Sequence, residues 1–120
     1  MDFAHINSTY YGGIDLHAHS MYFCVLNKEG DILFHRNMRT EFREIKRKLK
    51  NFYSRDGCRC GIDLQLYWLA DACRRESIPF YLGHPYYMKT IHGGKKKNDR
   101  LDSKTIADLM RSNYFPKGYA

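Results

Sequence analysis

Two carboxylates three residues apart, Asp99 and Asp102, stand at a helix start directly after a lysine triplet, Lys95-Lys96-Lys97. Positions i and i+3 share one helix face, so both can point at one spot. A hard divalent cation needs oxygen ligands that converge in this way. Lys95, Lys96, Lys97 and Arg100 beside them would hold a polyanion through its phosphates, a contribution that weakens with salt. The chemistry this predicts is a metal centre acting on nucleic acid phosphodiesters, completed by carboxylates from elsewhere in the chain. The same residues also suit a plainer role. Asp and Asn are ordinary N-cap residues, and acids in a first turn complement the helix dipole. The local signal favours capping, so the rest of the chain decides between the two.

A third carboxylate stands where a charge is costly. Asp15 lies inside the apolar strand signal Gly13-Ile14-Asp15-Leu16, and burial there needs a partner or a metal. The alternative is an Asp at a strand end that faces water. Period-two alternation puts Asp15, His17 and His19 on one face. The run Asp-Leu-His-Ala-His-Ser resembles the first metal motif of the polymerase-and-histidinol-phosphatase phosphoesterases, and that rival reading makes His17 and His19 metal ligands. Three features count against it. The barrel of that family exceeds what 120 residues can build. Met21-Tyr22-Phe23 stands where the family has an acidic residue and a glycine. His35, His84 and His92 show no ligand spacing.

Composition narrows the partners. A chain of 120 residues is one domain with a real core, and 43% hydrophobic and 15% aromatic content exclude a disordered chain. A net charge of +7 points to an acidic partner, of which nucleic acid is the commonest, although a small basic domain can simply be soluble. Met1–Tyr10 has neither the basic start nor the apolar core of a signal peptide, and no apolar run is long enough to span a bilayer. The reading is a cytoplasmic protein, away from membranes, with its four cysteines reduced. Cys58-x-Cys60 lacks zinc-ligand spacing and no second pair follows it, so buried strand cysteines are expected.

The elements that must position these residues follow from periodicity. Met1–Tyr10 is polar and reads as a flexible tail; residues 11–120 read as the domain. Strands are expected at Tyr11–His17, Met21–Leu26 and Ile32–Asn37, with a turn at Asn27–Asp31 in which Gly30 takes a positive φ. These three form an antiparallel meander. Glu41–Tyr53 is a helix with Thr40 as N-cap and a buried stripe of Phe42, Ile45, Leu49 and Phe52. Arg43, Lys46, Arg47, Lys48 and Lys50 fill its other faces, as a solvated surface first and a phosphate contact second. Then come a strand at Cys58–Leu64, a helix at Gln65–Arg75, a strand at Ile78–Leu82 and a short helical segment at Tyr86–Ile91. A loop at His92–Asn98 leads into a last helix that starts at Asp99 or Asp102 and ends near Arg111; Asn113–Ala120 is irregular. Three meandering strands followed by alternating helices and strands predict an α/β, ribonuclease-H-like mixed sheet of about five strands flanked by helices. In that arrangement a first-strand carboxylate faces carboxylates after the fourth strand and on a late helix.

The C-terminal half carries a more specific signal. Tyr67-Trp68-Leu69-Ala70-Asp71-Ala72-Cys73, Ile78-Pro79-Phe80, Leu82-Gly83-His84, Tyr87-Met88-Lys89, Ile91-His92-Gly93-Gly94-Lys95 and Lys97-Asn98-Asp99-Arg100-Leu101-Asp102-Ser103 closely resemble the DEDD transposases of the insertion-sequence-110 group. Gly13-Ile14-Asp15-Leu16-His17 resembles the opening of the same domain, and order and spacing agree from about Tyr11 to Tyr119. The resemblance implies a Holliday-junction-resolvase-like variant of the ribonuclease H fold. It implies four acids binding Mg2+ (or Mn2+), and DNA transposition guided by a structured RNA. Asp15 matches the first acid, Asp99 the third and Asp102 the fourth. The position of the second, a Glu in the family, is Gly61 without a gap; Asp63 is the nearest carboxylate. The family's further domain with a nucleophilic serine is absent from this chain. That gives the expectation of a truncated domain not competent alone, or of a noncatalytic nucleic-acid-binding remnant. Exposed apolar surface on such a domain implies self-association into a homo-oligomer.

Overall fold

The computed structural model describes residues 3–16, 19–52, 58–62, 67–83 and 99–118. Strands β1 (Tyr10–Leu16), β2 (Ser20–Asn27) and β3 (Ile32–Arg39) are followed by α1 (Phe42–Leu49), β4 (Cys58–Ile62), α2 (Tyr67–Arg75), β5 (Phe80–Leu82) and α3 (Asp99–Ser112). They build one sheet in the order β3-β2-β1-β4-β5. The first three strands pair antiparallel as a meander, and β4 and β5 join β1 in parallel. This is the expected ribonuclease-H-like α/β arrangement. Asp63, Lys95, Lys96 and Lys97, with the expected segment Tyr86–Ile91, lie outside the described residues.

Alternation along β1 divides the core between the two faces of the sheet. On one, Ile14, Phe23 and Val25 meet Ile45 and Leu49 of α1 and Leu69, Ala70 and Cys73 of α2. Phe42 and Phe52 pack partly buried against this cluster, which completes the stripe read from sequence. On the other face, Tyr11, Cys24 and Leu26 meet Ile106, Ala107 and Met110 of α3. The turn after β2 is an Asx turn: the Asn27 side-chain oxygen accepts from the Glu29 and Asp31 N–H groups at 3.1 and 2.9 Å, and Gly30 sits at φ +89.

Four expectations change. The α1 N-cap is Glu41, with no side-chain capping bond, because the Thr40 N–H donates to the His19 carbonyl and closes the β2–β3 end. The helix ends at Leu49 and tightens into a 3-10 turn over Lys50–Phe52. Strand β5 begins at Phe80, past Pro79, which has no N–H for the ladder. Residues 3–8, read as tail, are packed. The Ala4 N–H donates to the Phe115 carbonyl at 2.9 Å, and the Ile6 N–H to the Asn113 side chain at 2.9 Å. Ala4, Ile6 and Ser8 are buried. Asn113 holds a left-handed backbone, φ 65, that ends α3 and turns its amide toward this segment.

Cys24, Cys60 and Cys73 are buried and reduced, on β2, β4 and α2. Burial, with the Cys60 thiol nearby, pushes the Cys73 thiol from 9.0 up to about 12 against a small opposing pull from Arg74. The folded state therefore keeps this proton above pH 9.0 while the unfolded chain releases it, so stability falls as pH rises toward about 12. Urea midpoints measured at about pH 8 and about pH 10.5 check this: Cys73→Val is expected to lose part of the alkaline drop. No helix among the described residues is long and apolar enough to cross a membrane.

Candidate active site

Asp15 lies on the α3 face of β1, two residues beyond Gly13, and is 6% exposed. The direction of α3 across this face follows from what it touches. Met110 packs with Tyr11 near the start of β1. Farther along the strand, a Cβ built on Gly13 would lie 2.1 Å from the Ser103 carbonyl oxygen and 2.5 Å from the Ala107 nitrogen. Toward its own N-terminus the helix thus advances toward the C-terminal end of β1, where Asp15 stands. Helical register puts positions 99, 102, 103, 106, 107 and 110 on one stripe, and its members Ser103, Ile106, Ala107 and Met110 are fully buried against the sheet.

Of the four candidate acids, Asp15 has a described side chain. Asp99 and Asp102 have described backbone in the first turn of α3, with their side chains and that of Arg100 outside the description; Asp63 lies outside altogether. On the β1 face shared with Asp15, His17 is outside the described residues and His19 is exposed.

A polar pair locks this end of α3 to the sheet. His35 of β3 and Ser103, the residue after Asp102, meet side chain to side chain at 3.1 Å. The His35 ring also stands edge-on to Tyr22, with centroids 6.3 Å apart, and Tyr22 is the cross-strand partner of Asp15. A chain of neighbours therefore runs from Asp15 through Tyr22 and His35 to Ser103. Sequence reading missed this pair: it dismissed His35 for lack of ligand spacing and gave Ser103 no role of its own. Two signals were present. Ser103 falls on the stripe of Ile106, Ala107 and Met110, and alternation along β3 puts His35 opposite Cys24, on the α3 face. A double-mutant cycle on His35→Leu and Ser103→Ala is expected to give a coupling of about 1 kcal/mol by urea denaturation. His35→Gln, which retains a nitrogen at that reach, is expected to keep most of it.

Position 61 cannot be the missing second acid. Gly61 pairs in register with Gly13, and a Cβ there would already meet Ile106 Cγ2, Met110 Cγ and Met110 Sδ at 3.0 Å. A carboxylate at 61 would drive into the underside of α3.

Among the described residues no three His, Cys, Asp or Glu side chains converge as a metal site, but carboxylates are the oxygen donors that a hard divalent cation takes. The described acid is a carboxylate held in a buried position at a strand end, and the sequence supplies further carboxylates on the helix turn that the backbone carries toward that end. Residues 12–117 match the family model of the DEDD transposases of the insertion-sequence-110 group, described as "Transposase". Among solved structures, the chain is similar to T. thermophilus RuvC in complex with a Holliday junction substrate. The TM-score is 0.57 and the identity 13%, over 89% of this chain and 94% of that one. That likeness confirms the fold. No curated protein matches the chain significantly.

Proposed function

The chain belongs to the DEDD transposases of the insertion-sequence-110 group, and from that premise we propose that it is the metal-dependent domain that cuts DNA phosphodiesters during transposition. The observation that supports this most is the course of α3, which brings the turn bearing Asp99 and Asp102 to the strand end bearing Asp15. Asp15, Asp99 and Asp102 would hold Mg2+ (or Mn2+). When bound, such ions activate a nucleophile and stabilise charge on a phosphodiester.

Asp63 is the proposed fourth acid. It follows Ile62, the last residue of β4, and Ile62 pairs with Ile14, the residue before Asp15. Asp is one methylene shorter than the family Glu. Lys95, Lys96, Lys97 and Arg100 would draw DNA phosphates toward the acids. A structured guide RNA, on the family resemblance, and a second copy of the chain, on the exposed apolar side chains of Ile32, Leu33 and Tyr114, are further proposed partners.

A Mn2+ titration followed by residue-resolved NMR line broadening tests the site. Broadening centred on residues 15, 99 and 102 is the expected result, with Asp102→Asn weakening it. Broadening centred on His17 and His19, or none at all, overturns the proposal; the latter leaves a noncatalytic nucleic-acid-binding domain.

A further inference from the structure

The opposite face of the sheet carries a feature that the acids do not use. Phe34 and Arg36 of β3 pair with Val25 and Phe23, which belong to the core under α1 and α2, so both lie on the α1 face. Arg36 and Lys48 of α1 stand over the Phe34 ring, 5.8 and 5.4 Å from its centroid. Beside them, Phe42, Arg43, Lys46, Arg47 and Lys50 line a groove of about 480 Å³, with Lys46 5.9 Å from the Phe42 centroid. Six cations thus surround two half-buried aromatic rings. Three carboxylates answer them among the described residues: Glu41 to Arg43, Glu76 to Lys46 and Glu44 to Arg47.

We propose that this outer face of α1, with Arg36, is a second nucleic-acid-binding surface, turned away from the acids and gripping a phosphate backbone. The three ion pairs are open to solvent on at least one partner and correspondingly weak, so a phosphate can displace their carboxylates at small cost. The aromatic rings hold Arg36, Lys46 and Lys48 in place and offer faces against which a base or sugar can stack. The surplus of positive charge on the patch is local, not a share of the chain's average, since five of the six cations fall within Arg43–Lys50 and Arg36 shares the Phe34 ring with Lys48. The surface does not depend on the acids holding metal. It lets the domain hold one nucleic acid segment while another lies at the acids.

The test is fluorescence anisotropy against KCl, without divalent metal, on a duplex DNA of about 30 base pairs and on an RNA hairpin of similar length. Arg43→Gln, Lys46→Gln, Arg47→Gln and Lys50→Gln combined are expected to weaken binding at least tenfold at about 100 mM salt. The slope of log K on log salt is expected to shrink by about 3–4, one unit per lost phosphate contact. Whichever ligand shows the larger loss identifies the nucleic acid held there. On the unaltered chain, bound nucleic acid is expected to protect Lys46, Lys48 and Lys50 from acetylation several-fold; this readout stands even where the combined variant does not fold. Unchanged slope in a folded variant, absent protection, or equal binding of polyglutamate overturns the inference. Replacing Lys95, Lys96 and Lys97 with Gln separates the two surfaces. A silent loop variant beside a weakened α1 variant counts against the phosphate contacts proposed at the acids and leaves this surface standing.

Discussion

Asp15→Asn is expected to abolish the Mg2+-dependent rise in thermal stability and to cut DNA cleavage at least ~10²-fold, the upper range for losing even an outer partner of a metal ligand. The reasoning starts from placement. Asp15 occupies a buried position on the central strand, with α3 packed closely beside it at Gly13. Asn keeps the shape of the side chain and one oxygen but removes the charge. A ligand that binds only the folded state stabilises it by about 2.7 kcal/mol at a hundred times its dissociation constant. Differential scanning fluorimetry with and without Mg2+ measures that term directly, and Asp15→Asn is expected to show none of it. The comparison is between metal-bound and metal-free forms of one variant. Any change in its metal-free stability cancels, and a merely structural Asp15 would leave the Mg2+ shift intact. An undiminished shift in Asp15→Asn moves the metal to other residues.

Much of this frame was legible in the sequence because it rests on local pattern. The stripe of Ile45 and Leu49 between Phe42 and Phe52 could only be a helix packed on one side, and Asn27-Lys28-Glu29-Gly30-Asp31 could only turn. The ordering of three meandering strands before alternating helices and strands then fixed the sheet, and with it the place of Asp15 on the central strand. What could not be read was long-range. Residues 3–8 read as a tail although Phe3, Ala4 and Ile6 are apolar, because so short a run has no partner nearby in sequence. They are ordered by hydrogen bonds to Asn113 and Phe115, at the far end of the chain. The Tyr11 hydroxyl reinforces them, accepting from the Ser8 N–H at 3.2 Å and donating to the Ile6 carbonyl at 3.4 Å. The same holds for His35 and Ser103. Pattern puts each on the α3 face, but only the packing of α3 across β1, β2 and β3 makes them neighbours. Position 61 shows the converse: the family resemblance puts an acid where this chain has Gly61, and the packing of α3 gives the physical reason for the glycine.

The close approach at Gly13 makes a second large effect predictable. Gly13→Ala is expected to destabilise the fold by about 1–3 kcal/mol or more, as overpacking does in a tight core, and to lower Mn2+ affinity with it. The Cβ would sit 2.1 Å from the Ser103 oxygen and 2.5 Å from the Ala107 nitrogen, both backbone atoms of a regular helix. Neither can rotate away, so α3 must lift from the sheet as a body. The end that lifts is the end that carries Asp99 and Asp102, and a misplacement of about 1 Å can cost on the order of 10² in rate. Gly61→Ala is the control. Its Cβ would meet side-chain atoms of Ile106 and Met110 at 3.0 Å, and a methionine can re-route. Against that crowding stands the gain of about 0.5–1 kcal/mol from replacing glycine in a strand, so Gly61→Ala is expected to stay near wild-type stability and to keep its metal. Urea denaturation and Mn2+ titration of the two variants side by side decide the matter. Equal losses in both would mean that α3 is not the rigid arm that carries the acids to Asp15. A loss confined to Gly13→Ala would tie the site's geometry to the close backbone approach of α3 at Gly13.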